Sequence, residues 1–262
     1  MSAMGIAKRM HSATFKTTKA RPGFNIHQGD ALSFLDGLDT ASVGGIFADP
    51  PYSSGGSQRM LTATSGRKYC GTGSSSRDLP DFAGETMDQR SNLRFTITWL
   101  SAARRVLQPG GYFGIFCDWR QLPVFTDAVQ IAGLHWKGIS VWDKTEGTRP
   151  NKGAYRAQCE YIVWGTNGPK RKDATKILPG CFRKSNISRD KLHQTQKPVE
   201  VMEWLLSITD DDAVILDPFM GSGTTGIAAM NTGRPFLGCE LVPEIYRIAE
   251  SRLTDHVSAI AA

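Results

Sequence analysis

The sequence predicts an α/β fold in which helices cover a largely parallel sheet. Short apolar runs alternate with helical patterns over most of the chain, and this alternation is typical of such a fold. Near the C-terminus a glycine-rich turn joins an apolar run directly to a helical one. The 262 residues, 40% of them hydrophobic, suffice for the core of one large domain or two small ones.

The predicted strands are short apolar runs. They are Phe24–His27, Val43–Ala48, Tyr112–Cys117, Lys137–Trp142, Tyr161–Trp164, Val214–Leu216 and Pro235–Cys239. The helical patterns between them are Ala31–Leu38, Leu93–Leu107, Leu122–Ala132, Pro198–Ile208, Thr225–Asn231 and Pro243–Asp255. Pro198 and Pro243 suit first helical turns, and Pro109-Gly110-Gly111 is expected to close the second helix.

Three regions interrupt this alternation. Residues 1–22 are polar and basic, and we expect a flexible arm there, which leaves 23–262 as a single domain. Residues 53–76 are rich in Gly and Ser and too long for an ordinary connection, so we expect a mobile functional loop or a disordered one. Residues 165–192 are basic and poor in strand-like sequence.

Composition limits the classes of function. Lys and Arg number 31 against 25 Asp and Glu, and the net charge of +6 moderately favours a polyanionic partner. No apolar run reaches the roughly 18–20 residues of a membrane helix, and the first ten residues lack the core of a signal peptide. The five cysteines are scattered and form no zinc pattern with the five histidines, so we expect no metal and a cytoplasmic protein.

The glycine-rich turn is the first functional signal. Gly221-x-Gly223-x-x-Gly226 follows the run Val214–Leu216 and opens a helix, which matches the dinucleotide-binding fingerprint. Glu240 follows about 20 residues later at the end of another strand, where a carboxylate suits ribose hydroxyls. A tight strand–helix turn without a ligand remains the alternative interpretation.

The position of this turn in the chain limits the class of nucleotide-binding protein to which it can belong. Only 22 residues follow Glu240, so the rest of the sheet has to come from upstream sequence. The order of the two halves is therefore circularly permuted relative to an ordinary Rossmann fold. This order argues against a nicotinamide-dependent dehydrogenase.

The second signal is the segment Asp49-Pro50-Pro51-Tyr52 at the end of the strand Val43–Ala48. Open α/β sheets bind ligands at the carboxyl ends of their strands. The Asp49 carboxylate and the Pro50 carbonyl would offer two acceptors side by side for the hydrogens of a planar amine, and Tyr52 would offer a ring for stacking. A Pro-Pro turn after a buried strand is the alternative.

Together these segments resemble the beta class of S-adenosylmethionine-dependent DNA amino-methyltransferases. Asp49-Pro50-Pro51-Tyr52 resembles the catalytic motif, and the segment from Asp217 to Thr225 resembles the cofactor motif. Gly29-Asp30-Ala31 is similar to the motif beside the cofactor adenine, and 193–198 is similar to His-x-Thr-x-Lys-Pro. The four matches follow the order of the class and span about residues 24–255.

The resemblance implies a Rossmann-like methyltransferase sheet that binds S-adenosylmethionine. Glu240 would hold the ribose of the cofactor, and Asp30 and Ala31 would lie by its adenine. The methionine end would be held by Phe219, Gly221, Ser222, Gly223 and Thr224, with Thr195 and Lys197 nearby. Asp217 would either join this group or only orient the glycine loop.

The resemblance also implies a reaction on duplex DNA. Asp49 and Pro50 would accept the hydrogens of the exocyclic amine of a flipped-out adenine, with Pro51 fixing the backbone and Tyr52 stacking on the base. The basic stretch at 165–192 would recognise the target and project near Tyr52. Its DNA contacts would come from Arg171, Arg183, Lys184 and Arg189, unless it is a solvated loop. A homodimer is expected because this region is short.

Several alternatives stay open. A cytosine-N4 enzyme would use the same geometry, although its motif usually opens with Ser or Asn rather than Asp49. An RNA methyltransferase and a non-catalytic DNA-binding subunit are further alternatives. A carbon-5 cytosine enzyme would need a Pro-Cys pair, and none of the five cysteines follows a proline. The recognition sequence and any partner restriction endonuclease cannot be deduced from these residues.

Overall fold

A computed structural model describes residues 23–51, 87–148, 150, 152–185 and 197–261. The expected arm at 1–22, Tyr52, the loop at 53–76, Arg189 and Thr195 lie outside the described residues. Within the described part, no helix is long and apolar enough to cross a membrane.

The described strands form one eight-stranded sheet. In chain order they are β1 (Phe24–Gln28), β2 (Val43–Ala48), β3 (Leu107–Cys117), β4 (His135–Asp143), β5 (Cys159–Thr166), β6 (Cys181–Arg183), β7 (Ile215–Asp217) and β8 (Phe236–Glu240). Across the sheet the order is β1-β8-β7-β2-β3-β5-β4-β6. The C-terminal strands β7 and β8 thus lie between β1 and β2, as the permuted order requires.

The part of the chain that the structure describes also contains six α-helices, the last of which follows β8. They are α1 (Ala31–Asp36), α2 (Gln89–Val106), α3 (Leu122–Ile131), α4 (Val199–Leu206), α5 (Thr224–Asn231) and α6 (Pro243–Ala261). Residues of α1, α2 and α3 share one buried cluster with the sheet, and residues of α4, α5 and α6 share another. The molecule therefore has three layers, with the sheet in the middle.

The sheet departs from the expected parallel arrangement at one strand. β5 runs antiparallel to both β3 and β4, whereas the other neighbouring pairs are parallel. The described part of the connection from β4 to β5, residues 144–158, contains no helix, whereas a crossover between parallel neighbours is usually helical. β6 lies inside 165–192, where the sequence indicates few strands.

The second predicted helix ends before Pro109-Gly110-Gly111 as expected, but the strand after it begins earlier than the predicted Tyr112. α2 ends at Val106 and β3 starts at the next residue, so these three residues lie within the strand. Their backbone pairs with the end of β5, since Gly110 N–H donates to Asn167 O at 2.7 Å and Asn167 N–H donates to Gly111 O at 3.0 Å. Pairing with a neighbouring strand has overridden the local turn preference.

Candidate active site

Three acidic side chains end neighbouring strands on one side of the sheet, here called the carboxyl edge. Asp49 follows β2, Asp217 ends β7 and Glu240 ends β8. The register pairs Asp217 with Gly238 of β8 and Leu216 with Ile46 of β2, so Asp49 and Glu240 each lie two residues beyond the level of Asp217. The ends of β3, β4 and β6 and the start of β5 complete this edge. The predicted catalytic and cofactor motifs therefore meet there.

The glycine loop between β7 and α5 has a backbone that glycine favours. Gly221 and Gly223 have φ values of +52° and +82°, in the left-handed region. Gly226 is needed for another reason: a Cβ there would lie 2.7 Å from Leu253 of α6 and 2.8 Å from Phe236 of β8. The loop thus turns tightly while α5 packs closely on the sheet.

Asp217 lies beneath this loop and holds its two ends together. Its carboxylate accepts the Phe219 N–H at 3.0 Å and the Thr225 hydroxyl at 2.5 Å. Burial raises the pKa of Asp217 to about 7, and the charges of Asp49 and Glu240 add to the effect while the two hydrogen bonds oppose it. These contacts fit the interpretation in which Asp217 orients the loop.

Glu240 faces the loop from β8. One oxygen accepts the Gly221 N–H at 3.1 Å, and the other accepts the Val242 N–H at 2.9 Å. Burial raises the pKa of Glu240, although these backbone bonds oppose the shift. Asp30 lies beside it after β1, where it caps α1 by accepting the Ser33 N–H at 2.9 Å. Ala31 is buried at the start of that helix.

Two contacts hold the loop from outside. Phe219 packs edge-on against the buried Trp99 of α2, with ring centroids 5.2 Å apart. Arg252 of α6 donates to the carbonyl of Ser222 and to the hydroxyl of Thr224, both at 3.0 Å. Arg252 could not be identified from the sequence, because a basic residue on a helix carries no signal that it reaches a loop 28 residues upstream.

Asp49, which follows β2, has an ion-pair partner that the sequence did not indicate. The Lys197 ammonium lies 2.6 Å from Asp49 Oδ2 and is 7% exposed. Pro50 is buried and Pro51 half-buried behind this carboxylate. Lys197 was expected at the methionine end of the cofactor, and the structure places its ammonium on the predicted amine acceptor.

Lys197 also contacts Glu160 at the start of β5, at 3.2 Å, and Glu160 in turn lies 3.3 Å from Lys144 after β4. Burial alone would lower the pKa of Lys197, but the carboxylates of Asp49 and Glu160 outweigh it and hold that pKa above its ordinary value. Lys197 is therefore a cation at neutral pH. Glu160 was missed because its place at this edge depends on the reversed direction of β5.

The described basic residues of the stretch 165–192 lie at two different edges of the sheet. Arg183 ends β6, opposite Asp143 of β4, and so lies at the carboxyl edge with Lys184 beside it. Arg171 instead contacts Asp173 and Asp210 near the start of β3, on the opposite side of the sheet. The expectation that the whole stretch projects near the catalytic motif is thus wrong for Arg171, because the chain must first run along the sheet from the end of β5 to β6.

Fold and site together define a class of protein: a permuted α/β fold with a nucleotide-type glycine loop and an Asp-Pro-Pro segment at the same edge of the sheet. The chain belongs to the DNA methylase family of N6 and N4 methyltransferases, whose model matches residues 43–251. It is therefore a DNA methyltransferase, and its methyl donor is S-adenosylmethionine.

Individual proteins agree with this assignment. The type II methyltransferase M2.LlaDCHI of Lactococcus lactis subsp. cremoris is 28% identical over 86% of this chain and 87% of its own length. The structure of the M1.HpyAVI–SAM complex superposes with a TM-score of 0.64 at 25% identity, covering 88% of this chain and 98% of that one. The cytosine-N4-specific PvuII DNA methyltransferase has a TM-score of 0.65 at 16% identity, covering 92% and 93%.

The residues present fit this cofactor. A Cβ at Gly221 would meet no atom within 4 Å, so the loop is open on the side that faces away from the core. The Glu240 carboxylate already binds the N–H of that glycine, which places a ribose-type acceptor beside the loop. When bound, S-adenosylmethionine supplies an electrophilic methyl group at this edge.

Proposed function

We propose that the protein methylates the exocyclic N6 amine of adenine in duplex DNA. The observation that carries this proposal is Asp49, which opens the catalytic motif at the carboxyl edge. Cytosine-N4 enzymes of this class usually have Ser or Asn at that position. The PvuII likeness concerns the fold alone and does not favour cytosine.

The chemistry follows from the acceptors. The adenine amine is planar, and its nitrogen lone pair is delocalised into the ring. The Asp49 carboxylate and the Pro50 carbonyl accept its two hydrogens, which favours a tetrahedral nitrogen and stabilises the positive charge that develops during transfer. Tyr52, outside the described residues, would stack on the base, which has to be flipped out because its amine is paired in the helix.

The cofactor contacts are part of the proposal. Glu240 would bind the ribose hydroxyls by exchanging its bond to the Gly221 N–H, and Asp30 and Ala31 would lie by the adenine. The methionine end would lie along the glycine loop, against Phe219, Gly221, Ser222, Gly223 and Thr224, with Thr195 nearby. Lys197 would lie between the two ligands, since its ammonium contacts Asp49.

The identity of the modified base tests the proposal directly. Unmethylated genomic DNA is incubated with the protein and S-adenosylmethionine, digested to nucleosides and analysed by mass spectrometry. We expect N6-methyladenine among the nucleosides. N4-methylcytosine alone would refute the adenine assignment.

The expected homodimer is tested separately, by sedimentation of the same preparation with and without DNA.

The Asp49→Ala variant tests the catalytic role. Loss of one preorganised acceptor is expected to lower the methylation rate by at least about 10²–10³. Cofactor affinity should change by only a few-fold, because Asp49 faces the base. Asp255→Ala on α6 serves as a carboxylate-loss control and should keep both values. Near-normal turnover of Asp49→Ala would place the chemistry elsewhere.

A further inference from the structure

Four charged side chains of alternating sign form a continuous row at the carboxyl edge. In order along the row they are Lys144, Glu160, Lys197 and Asp49, with successive nitrogen–oxygen distances of 3.3, 3.2 and 2.6 Å. They come from three strand ends and the chain segment before α4. Such a row, assembled from four separate parts of the chain, is not the product of local sequence preference.

The row is shielded from solvent. The side chains of Lys197, Glu160 and Lys144 are 7%, 18% and 17% exposed, and that of Asp49 is 25% exposed. The Lys197 ammonium also lies 5.0 Å from the centroid of the Phe116 ring. Charges removed from water interact more strongly than charges on a surface, so each member of the row affects its neighbours.

The balance of charge explains why a second carboxylate is useful. A buried Lys197 paired with Asp49 alone would neutralise the group that has to attract the target amine. With Glu160 added, the ammonium is shared between two carboxylates, so Asp49 keeps part of its negative charge, while Lys144 balances Glu160 at the far end of the row. Burial opposes ionisation of Glu160, but Lys197 and Lys144 lower its pKa below the ordinary value, so this second negative charge is present at neutral pH.

We propose that Glu160 is a positioning residue for methyl transfer, which acts by sharing the Lys197 ammonium with Asp49. Lys197 then orients the Asp49 carboxylate without cancelling its charge, and Lys144 holds Glu160 in place. This inference rests on the proposed role of Asp49 as amine acceptor. It assigns a function to a residue outside both sequence motifs.

The pH dependence of the rate should respond differently to two substitutions in the row. In Glu160→Gln, Lys197 contacts Asp49 alone, which favours the ionised carboxylate, so the acid limb of the rate profile does not move to higher pH. In Lys197→Met the cation is lost, so the same limb moves to higher pH. Among the described residues, the other titratable groups near the row are Cys117, Asp118 and Asp217. They are identical in both variants, and burial raises the pKa of the Cys117 thiol so that it stays neutral.

The experiment measures single-turnover methylation of duplex DNA from pH 5 to 9, with cofactor affinity and the melting temperature of each variant. Glu160→Gln should lower the plateau rate about 10- to 100-fold, as expected when a group that orients a reactive ligand is removed. Its cofactor affinity should stay within about threefold. Glu203→Gln on α4, which loses a carboxylate hydrogen-bonded to Asn231, is the matched control and should resemble the wild type.

Glu160→Asp keeps the charge, so it should show the wild-type acid limb and retain part of the wild-type rate. This variant keeps the test valid if Glu160→Gln folds poorly. The inference is overturned if Glu160→Gln keeps the wild-type rate, if both variants at 160 are equally impaired, or if the acid limbs of Glu160→Gln and Lys197→Met move the same way. The base that the wild type modifies is read from the product and tests the adenine assignment separately.

Discussion

At the level of single residues, the three acids at the ends of β2, β7 and β8 are stabilised in three different ways. Asp49 contacts the Lys197 ammonium, whereas Glu240 is bound by backbone N–H groups. Asp217 is buried and lies near the other two charges, and its pKa rises to about 7. The repulsion among these acids is thus reduced by one cation, by backbone N–H groups and by the raised pKa of Asp217, which is partly protonated near pH 7.

Asp217 gives a prediction about pH and stability. Its folded pKa of about 7 exceeds the ordinary value of 3.8, so the folded state binds the extra proton between these values. Stability contributed by this group is therefore present at low pH and declines as pH rises towards 7. The decline amounts to at most about 1.4 kcal/mol for each pH unit between the two pKa values. Asp217→Asn retains an acceptor for the Phe219 N–H and removes the titration.

Urea unfolding of wild type and Asp217→Asn between pH 5 and 8.5 measures this effect. The wild-type free energy of unfolding minus that of the variant should fall with pH and become level above about pH 8. Other groups cancel in this difference. A difference that is constant across the range would mean that Asp217 is ionised throughout.

At the level of elements, the three-residue strand β6 fixes the position of the basic stretch. Phe182 stacks on Trp204 of α4 with ring centroids 5.3 Å apart, and the Trp142 indole donates to the Lys184 carbonyl at 2.8 Å. Lys184 also contacts Glu200 in the first turn of α4, so this segment lies close to Lys197, whose ammonium contacts Asp49. A strand this short is stabilised by side-chain packing more than by its ladder.

Arg183 and Arg171 form a matched pair for testing DNA contact. Arg183 lies at the carboxyl edge beside Glu146, and Arg171 lies at the opposite edge beside Asp210. If Arg183 neutralises a phosphate, Arg183→Ala should weaken binding to all duplexes and lower the salt slope by about one unit. Arg171→Ala should leave DNA affinity within about twofold, because its ion pairs are on the other side of the sheet.

Fluorescence anisotropy with cognate and scrambled duplexes over a range of salt concentrations separates the two variants. Equal losses in both would indicate that DNA also contacts the opposite edge. A change in site preference for Arg183→Ala, without a change in salt slope, would indicate a base contact instead. Lys184→Ala in the same assay tests the neighbouring proposed contact.

At the level of the whole molecule, the sequence supports the permuted sheet and the meeting of its two motifs. The bounds of β2 agree with the predicted Val43–Ala48, because a buried strand between polar turns is visible in hydrophobicity alone. The direction of β5 could not be predicted, since periodicity is the same in either direction. The Asp49–Lys197 pair joins residues 148 positions apart, so it depends on that tertiary arrangement.

The two edges of the sheet carry different kinds of residues. The carboxyl edge carries the residues that we propose to bind the target base and the cofactor. The opposite edge is held together by Arg234, which is 3% exposed. Its guanidinium donates to the hydroxyl and carbonyl of Thr209 at 2.9 and 3.0 Å, to the Thr232 carbonyl at 2.9 Å and to Asp211 at 3.0 Å. It thereby joins the segment before β7 to the segment before β8.

Substitution of Arg234 should therefore reduce stability without affecting the active site. Arg234→Ala removes the donor to the buried Thr209 hydroxyl, and leaving such a group without that partner costs about 1–3 kcal/mol, whereas the Thr209 carbonyl keeps the Lys176 ammonium as a donor. Arg234→Lys should lose less, because it keeps a donor but not the planar fork. Urea unfolding measures the loss, while calorimetry with S-adenosylmethionine and methylation assays well below the melting temperature should give wild-type values. A fall in cofactor affinity at unchanged unfolding free energy would show that the two edges are coupled through the sheet.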